Sequence, residues 1–287
     1  MALLDGRAVA QQLLTTVTQE VKILQTQQIQ PKLAFILVGE HPASLSYVKQ
    51  KQKACEQTGI LYEHVQLPES ASTETLIDVI HQLDERADVH GILVQLPLPA
   101  SINTPLVLRA ISPKKDVDGF HAYNMGKMVL SKDFESLVPC TPKGVIHLLE
   151  HYNIPIEGQE VVVVGHSNIV GKPMSTMLLN RNATVTTCHK FTRDLAFHTA
   201  RADILVVAVG KAGLITAPMV KEGAVVIDVG INRVDGKLVG DVDFDQVQSK
   251  CSYITPVPGG VGPMTVACLM ENTIEACKVL SQNNLSS

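Results

Sequence analysis

The stretch from Val161 to Val185 constrains the fold of this chain more than any other. It opens with four valines, Val161–Val164, whose lack of polar alternation is typical of a strand buried on both faces of a parallel sheet. A turn with glycine at both ends, Gly165–Gly171, leads into a helix with Pro173 in its first turn, and the strand Ala183–Thr187 follows. We expect the turn and the positive end of the helix to hold an anion such as a pyrophosphate.

The turn departs from the dinucleotide fingerprint G-x-G-x-x-G, because Ser167 and Val170 stand where that pattern has glycine. A nucleophile elbow, G-x-S-x-G, would make Ser167 the nucleophile, but Ile169 stands where close packing needs glycine. An ordinary strand-to-helix turn without a ligand is a further alternative. The local pattern favours a nucleotide-binding half and leaves these alternatives open.

The rest of the chain alternates predicted helices and strands, which indicates an α/β protein. The predicted strands are 33–38, 61–67, 91–95, 203–209 and 224–229, and the predicted helices include 43–58, 74–85 and 265–280. Pro139–Pro142 marks the passage to a second domain, because two prolines bracket a helix start there. With 287 residues the chain is long enough for two domains.

Composition and charge argue against several classes of function. The net charge of −4 without a basic cluster makes nucleic acid an unexpected partner. No apolar run approaches the ~20 residues needed to span a bilayer, so we expect no membrane association. The six cysteines form no C-x-x-C pair and the first residues lack a signal-peptide pattern, which predicts a cytoplasmic protein.

The predicted helix 43–58 carries the first candidate chemistry. Tyr47 and Lys51 stand four residues apart and therefore share a face, whereas Lys49 and Lys53 project elsewhere, toward solvent. A lysine on a semi-apolar face can lose its charge through burial and act as a base. It can equally extend its ammonium group to water, and the pattern alone does not choose between these interpretations.

Polar residues also follow a predicted strand and occupy a later loop. Gln95 ends an apolar strand just before Pro97, at the edge of an α/β sheet where ligands bind, although it could equally cap a backbone group. Asp116 and Asp118 stand in an irregular loop, and paired carboxylates suggest a cation. Two ligands are too few for a calcium site, and no EF-hand spacing follows.

A zinc-peptidase motif of the form H-x-x-E-H occurs at His147 and His151. We expect no metal there, because the predicted helix ends at His151, whose charge suits a helix C-terminus. A complete site would also require another ligand and an open cleft.

Motifs along nearly the whole chain resemble those of the bifunctional methylenetetrahydrofolate dehydrogenase/cyclohydrolases of one-carbon metabolism. The motifs are Tyr47-Val48-x-x-Lys51, Val94-Gln95-Leu96-Pro97-Leu98-Pro99, Asp116-Val117-Asp118-Gly119, Pro139-Cys140-Thr141-Pro142-Lys143-Gly144, Val164-Gly165-x-Ser167-x-Ile169-Val170-Gly171-x-Pro173-Met174 and Pro256-Val257-Pro258-Gly259-Gly260-Val261-Gly262-Pro263-Met264-Thr265. Their order and spacing make the resemblance far more specific than any single glycine motif.

The resemblance implies an α/β fold of two domains with a cleft between them. Residues 1–140 would form an N-terminal folate-binding catalytic domain, 141–265 a Rossmann-type NADP-binding domain with a parallel sheet, and 266–287 a C-terminal helix packed on the first domain. It also implies a homodimer without a metal.

The implied function is NADP-dependent oxidation of 5,10-methylenetetrahydrofolate to 5,10-methenyltetrahydrofolate, followed in the same cleft by hydrolysis to 10-formyltetrahydrofolate. The alternatives are a monofunctional dehydrogenase and a nucleotide-binding regulatory protein without turnover.

The resemblance also implies residue roles. Lys51 would be the central acid/base, Gln95 would orient it, Tyr47 would stack on the aminobenzoyl ring, and Asp118 would bind the amino edge of the pterin. A loop of Pro258, Gly259, Gly260, Val261, Gly262 and Pro263 would line the substrate. The implied cofactor-binding residues are Gly165, His166, Ser167, Ile169, Val170, Lys190, Arg193, Gly210, Gly230 and Ile231.

The second strand of the nucleotide-binding half predicts which cofactor is preferred. An NAD site would place Asp or Glu at its end to accept a hydrogen bond from the ribose 2′-hydroxyl. The segment Thr187–Arg193 has no carboxylate and contains Lys190 and Arg193. This predicts a preference for NADP, with one of these cations near the 2′-phosphate.

Overall fold

The structure, a computed structural model, describes residues 2–285, without the side chains of 42, 43 and 283–285; the last two residues of the predicted segment 266–287 lie outside it. The strands are β1 (Ala2–Leu3), β2 (Lys32–Val38), β3 (Leu61–Leu67), β4 (Gly91–Val94), β5 (Glu160–Val164), β6 (Thr184–Cys188), β7 (Ile204–Val207), β8 (Val225–Asp228), β9 (Asn232–Val234), β10 (Lys237–Val239) and β11 (Tyr253–Ile254). The helices are α1 (Gly6–Thr26), α2 (Pro42–Thr58), α3 (Thr73–Glu85), α4 (Thr104–Ala110), α5 (Ala122–Leu130), α6 (Cys140–His151), α7 (Gly171–Leu179), α8 (Leu195–Thr199), α9 (Phe244–Val247) and α10 (Val261–Leu285). Within residues 2–285, none of these helices combines the length and apolarity that crossing a membrane requires.

One compact unit, which we call the six-stranded unit, comprises residues 2–10, Met128–Phe134 and Thr141–Thr265. Its parallel sheet has the order β1-β11-β8-β7-β5-β6. The strands β5, β7 and β8 lie at its centre and are buried apart from Glu160, which is half-buried. This explains their runs of valine and isoleucine without polar alternation and confirms the predicted buried strands.

Strand β1 extends this sheet at one edge. Ala2 pairs with Tyr253 and Leu3 with Ile254 in parallel register, and the Leu4 backbone N–H donates to the Ile254 carbonyl oxygen at 2.9 Å. Strands β1 and β11 have two residues each, which is too short for a periodic pattern, so they could not be predicted. The compact unit thus includes N-terminal residues that lie in the predicted domain range 1–140.

The other compact unit, which we call the three-stranded unit, comprises Gln11–Lys127, Glu135–Cys140 and residues 266–285. Its parallel sheet has the order β3-β2-β4, and the central strand β2 is buried from Leu33 to Val38. Helix α3 packs on this sheet through its buried residues Leu76, Ile80 and Leu83. The predicted alternation of strands and helices is therefore confirmed here.

The predicted start of the last helix at Thr265 is wrong, because α10 begins at Val261. Proline is tolerated in the first turn of a helix, where its missing N–H has no intrahelical partner, and Pro263 occupies that turn. Val261, Gly262 and Pro263 are consequently helical. Later in α10, Lys278 forms a 3.0 Å ion pair with Glu20 of the three-stranded unit.

Candidate active site

Lys51 and Gln95 form the centre of a polar cluster in the three-stranded unit. Lys51 Nζ donates a 2.9 Å hydrogen bond to Gln95 Oε1, and Gln95 Nε2 donates to the Leu96 carbonyl oxygen at 2.6 Å. The Gln95 backbone N–H donates to the Ile36 carbonyl oxygen of β2, which fixes Gln95 directly after β4. Both the oxygen and the nitrogen of the Gln95 amide are thus hydrogen-bonded, and the oxygen faces the Lys51 amine.

Asp116 and Asp118 have different surroundings although they are two residues apart. The buried Asp116 carboxylate accepts hydrogen bonds from the backbone N–H groups of Phe120 and His121 and from Asn124 Nδ2. Asp118 is half-buried and close enough to Lys51 for their charges to interact. Asp116 therefore shapes the loop, which leaves Asp118 as the carboxylate available for chemistry.

Asn272 of helix α10 fixes this loop from the side. Its buried Nδ2 donates to the carbonyl oxygens of Val117 at 2.8 Å and Val138 at 2.9 Å. In the same loop, Gly119 has φ +73°, and a Cβ there would overlap the Val138 backbone. The loop therefore requires glycine at 119 and a side-chain amide at 272, and the sequence pattern gave no sign of the role of Asn272.

Burial moves Lys51 and Asp118 toward their neutral forms. It lowers the pKa of the Lys51 amine, although the charges of Asp118 and Cys140 oppose that shift. It also raises the pKa of the Asp118 carboxyl to about 6, although the Lys51 charge opposes that shift. A lysine with a lowered pKa can accept a proton near neutral pH, which an exposed lysine rarely does.

Tyr47 and the remaining lysines of α2 show which face of the helix is special. Tyr47 lies one turn before Lys51 and is 39% exposed, so its ring is available to a ligand. Lys49 and Lys53 are exposed, whereas Lys51 is half-buried. The structure thus distinguishes Lys51 from its neighbours as the sequence periodicity predicts.

The glycine turn after β5 is built by direct packing between its two ends. A Cβ at Gly171 would overlap the Gly165 carbonyl group, and Gly165 itself has φ +135°. Ser167 Oγ accepts hydrogen bonds from the backbone N–H groups of Val170, at 3.1 Å, and Gly171, at 3.4 Å. The Ser167 hydroxyl is thus held by the backbone of its own turn, which argues against its use as the nucleophile of an elbow.

The loop after β6 brings a histidine to this turn that the sequence did not single out. The rings of His166 and His189 lie 4.8 Å apart between centroids, and Lys190 Nζ lies 4.9 Å from the centre of the Phe191 ring. Lys190 and Arg193 are exposed. His189 thus lies beside His166 of the turn, in a loop that also carries Lys190 and Arg193. A pattern search for phosphate-binding residues could have found His189.

The loop before α10 packs against the start of α1. Gly259 has φ +114°, and a Cβ there would lie 3.2 Å from Arg7 Nε, while a Cβ at Gly6 would overlap the Gly260 carbonyl group. A Cβ at Gly262 would lie 3.8 Å from Ile231 Cδ1. The structure therefore brings the predicted glycine loop beside Ile231, which was predicted to bind the cofactor and is 45% exposed.

The two glycines that follow β7 and β8 differ in their surroundings. Gly210 has φ +68°, and among the described residues no atom lies within 4 Å of a Cβ built there. At Gly230 a Cβ would overlap the carboxylate of Asp241. Gly210 thus leaves room for a ligand. Glycine is required at 230 because the buried Asp241 side chain lies so close to it, a role of Asp241 that the sequence pattern did not indicate.

His147 and His151 of the H-x-x-E-H motif make separate contacts. His147 Nδ1 lies 4.0 Å from Glu150 Oε2, and the His151 ring packs edge-on against Tyr152 with 5.0 Å between centroids. The Tyr152 hydroxyl in turn accepts a hydrogen bond from the Asp5 backbone N–H at 2.9 Å. His151 thus has a packing role at the end of α6.

Comparisons with known proteins cover nearly all of the chain. Residues 4–118 match the model of the tetrahydrofolate dehydrogenase/cyclohydrolase catalytic domain, and residues 139–281 match that of the tetrahydrofolate dehydrogenase/cyclohydrolase NAD(P)-binding domain. The chain is 54% identical to the bifunctional protein FolD of Francisella philomiragia over 283 residues, which are 98% of this chain and 100% of that protein.

Solved structures similar to this one include two FolD enzymes. The bifunctional enzyme FolD, a methylenetetrahydrofolate dehydrogenase/cyclohydrolase from Campylobacter jejuni, has a TM-score of 0.95 and 50% identity, covering 97% of this chain and 99% of that chain. FolD from Trypanosoma brucei, whose structure is a complex with NADP and an inhibitor, has a TM-score of 0.92 and 40% identity, covering 96% of each chain.

Proposed function

Because the chain belongs to the tetrahydrofolate dehydrogenase/cyclohydrolase family, we propose that Lys51 and Gln95 form the proton-transfer centre of a bifunctional enzyme. The enzyme oxidises 5,10-methylenetetrahydrofolate to 5,10-methenyltetrahydrofolate with NADP and hydrolyses that product to 10-formyltetrahydrofolate. The observation that carries the assignment of Lys51 is its 2.9 Å hydrogen bond to Gln95, in surroundings that lower the pKa of the amine.

The dehydrogenase step removes a hydride from the methylene carbon that bridges N5 and N10 of the folate. The lone pairs of these nitrogens stabilise the resulting methenyl cation, so the step depends chiefly on alignment of the reactants. NADP, when bound, is the hydride acceptor. Its pyrophosphate would be held at the start of α7 by the turn Gly165–Gly171, and its 2′-phosphate would be held by His166 and by His189, Lys190 and Arg193 of the loop after β6.

The cyclohydrolase step adds water to the methenyl carbon, whose positive charge is shared with N5 and N10. Neutral Lys51 takes one proton from the attacking water, and Gln95 Oε1 holds the amine in position. The bond from this carbon to N5 then breaks, the remaining hydroxyl proton passes to N5, and the oxygen becomes the formyl carbonyl on N10. The proton held by Lys51 is released to solvent, which balances the reaction.

Asp118 and Tyr47 bind the folate in this proposal. The ionised Asp118 carboxylate accepts two hydrogen bonds from N3–H and the 2-amino group of the pterin, and Tyr47 stacks on the aminobenzoyl ring. The half-buried position of Asp118 and the exposed ring of Tyr47 support these roles. The glycine loop 258–263, beside Ile231, would line the nicotinamide.

Two variants of Lys51 test the assignment. Lys51→Met removes the amine and Lys51→Arg keeps a permanent charge, so each should lower cyclohydrolase activity at least ~100-fold, which is the usual contribution of a general base. Dehydrogenase activity should fall less, and methenyltetrahydrofolate should accumulate in coupled turnover, as its absorbance would show. Lys49→Met changes an exposed lysine on the same helix and is the matched control.

Each outcome decides the role of Lys51. Cyclohydrolase activity that survives in Lys51→Met, or is lost in Lys49→Met instead, would show that the lysine or the mechanism is wrong. Loss of dehydrogenase and cyclohydrolase activity to the same degree in both Lys51 variants would show that Lys51 binds the folate and is not the base.

We further propose that the protein is a cytoplasmic homodimer. All six cysteines are free and buried, which suits a reducing compartment. Strand β3 is an edge strand whose Leu61 is 52% exposed, and an exposed edge is a surface to which a second copy can add. Sedimentation of the wild type and of Leu61→Lys measures the oligomeric state.

A further inference from the structure

Two carboxylates are buried at the carboxyl ends of β7 and β8 in the six-stranded unit. Asp228 is the last residue of β8, and Asp241 follows the hairpin of β9 and β10; they are 4% and 0% exposed. Asp228 Oδ1 accepts hydrogen bonds from the backbone N–H groups of Gly230 and Asp241, and Oδ2 accepts one from Val242. Asp228 thus joins its own loop to the segment that carries Asp241.

Asp241 in turn organises the loop after β7. Its carboxylate accepts hydrogen bonds from three consecutive backbone N–H groups, those of Val209 at 2.7 Å, Gly210 at 2.9 Å and Lys211 at 2.8 Å. Asn232 Nδ2 donates a fourth at 2.9 Å. Every partner of this carboxylate is an N–H donor, so the loop closes around a single anion that belongs to the protein.

Two glycines make this arrangement sterically possible. A Cβ at Gly230 would overlap the Asp241 carboxylate, and a Cβ at Gly240 would overlap Asp228 Oδ2. The backbone of the loop after β8 therefore lies directly against the Asp241 carboxylate, and the segment that carries Asp241 lies directly against the Asp228 carboxylate. The packing leaves no space for these segments to shift independently.

The outer faces of the ordered loops lie where a dinucleotide binds in a Rossmann-type domain, at the carboxyl ends of the strands. Val209 is 38% exposed and Ile231 is 45% exposed, while the space around Gly210 is open among the described residues. The carboxylates pull the N–H groups of the β7 loop inward, and the apolar side chains remain outward. This is a suitable surface for a flat cofactor ring.

We propose that Asp241 and Asp228 are positioning residues for the nicotinamide cofactor, which set the loops after β7 and β8 in the geometry that binds it. The inference rests on the proposed function, because it takes NADP to be the ligand of these loops. Neither aspartate touches the cofactor. Their contribution is to hold Val209, Gly210 and Ile231 in place before the cofactor binds.

Asp241→Asn tests the proposal. The amide nitrogen of asparagine is only a donor. In either orientation of the amide, it therefore faces at least one N–H group that now donates a hydrogen bond to Asp241, and the loop must move. We expect the KM for NADP and the Kd for reduced cofactor, measured by its fluorescence, to rise about tenfold or more. Cyclohydrolase activity, measured without cofactor because hydrolysis transfers no electrons, should stay within about twofold of wild type, since Lys51 and Gln95 lie in the other unit.

Asp243→Asn is the matched control. It makes the same change two residues away, where the side chain caps α9 by accepting from the Gln246 backbone N–H, and asparagine caps equally well. Its cofactor KM should equal that of the wild type. Asn232→Ser removes only one of the four donors to Asp241 and should raise the KM in the same direction but less, so it decides the question if Asp241→Asn does not fold.

Unchanged cofactor binding in Asp241→Asn, or in Asn232→Ser if the first variant does not fold, would overturn the proposal. Loss of both activities in equal proportion in a folded variant would assign Asp241 a merely structural role and overturn it as well. A wild-type protein that binds the reduced cofactor but turns over neither folate would instead refute the proposed function, and the binding comparison would still test the positioning residues.

Discussion

Replacing Gln95 by glutamate tests the proton-transfer centre by a change of charge with little change of shape. Gln95→Glu places a carboxylate oxygen where the amide oxygen now lies, 2.9 Å from Lys51 Nζ. An opposite charge this close stabilises the ammonium form, which typically moves a pKa by about 1–3 units. Since each unit is a tenfold change in the fraction of free amine, cyclohydrolase activity near pH 7 should fall about 10- to 1000-fold.

The sign of the effect is as informative as its size. A base must be neutral to accept a proton, so the rate rises with pH through the pKa of Lys51, and a raised pKa moves that rise to higher pH. The assay is the loss of methenyl absorbance from about pH 6 to pH 9, with the uncatalysed rate subtracted at each pH. Gln95→Glu should recover activity at the alkaline end by at least about tenfold relative to pH 7.

Two matched variants separate charge from packing. Gln95→Met removes the hydrogen bond without adding charge, so it should lower the rate without moving the pH profile upward. Gln50→Glu adds the same charge on α2 at an exposed position, and it should change neither the rate nor the pH profile. A Gln95→Glu profile that keeps the wild-type midpoint, or a loss of activity that alkaline pH does not recover, would refute the base mechanism.

The remaining predictions concern folate binding, cofactor choice and stability. Asp118→Ala should weaken folate binding by about 2–4 kcal/mol and so raise the folate KM of both activities, with NADP affinity nearly intact. In the wild type the folate KM should rise below about pH 6, where Asp118 becomes protonated, and a KM that does not change with pH would contradict its role. The kcat/KM for NADP should exceed that for NAD, and Lys190→Ala or Arg193→Ala should narrow the difference; equal values in the wild type would refute the preference. Asn272→Leu leaves the buried carbonyl groups of Val117 and Val138 without their amide donor, so it should lower the free energy of unfolding by about 2–4 kcal/mol in a denaturant titration.

The sequence predicted the elements whose pattern depends on burial alone. The valine run of β5 and the alternating strands and helices were predictable because central parallel strands are buried on both faces. Lys51 could be separated from Lys49 and Lys53 because helix periodicity decides which side chains share a face with Tyr47. The candidate site was predictable to this extent from local rules and the family motifs.

The sequence failed where distant segments determine a residue's role. Nothing local distinguishes Asp116, which orders its own loop, from Asp118, because the difference comes from the backbone N–H groups around each. The need for glycine at 230 arises from Asp241, which lies beyond an intervening hairpin. Helix α10 began four residues earlier than predicted because Pro263 is compatible with a first turn.

The pairing of β1 with β11 has a consequence for the order in which the protein can form during synthesis. Residues 2 and 3 are synthesised long before the strand they pair with, which lies about 250 residues later, at Tyr253–Ile254. The three-stranded unit also depends on a late segment, because Asn272 of α10 donates a hydrogen bond to the Val117 carbonyl oxygen, 155 residues before it. Neither unit can therefore be completed until these later segments have been synthesised, and a fragment that ends at residue 140 should lack a finished unit.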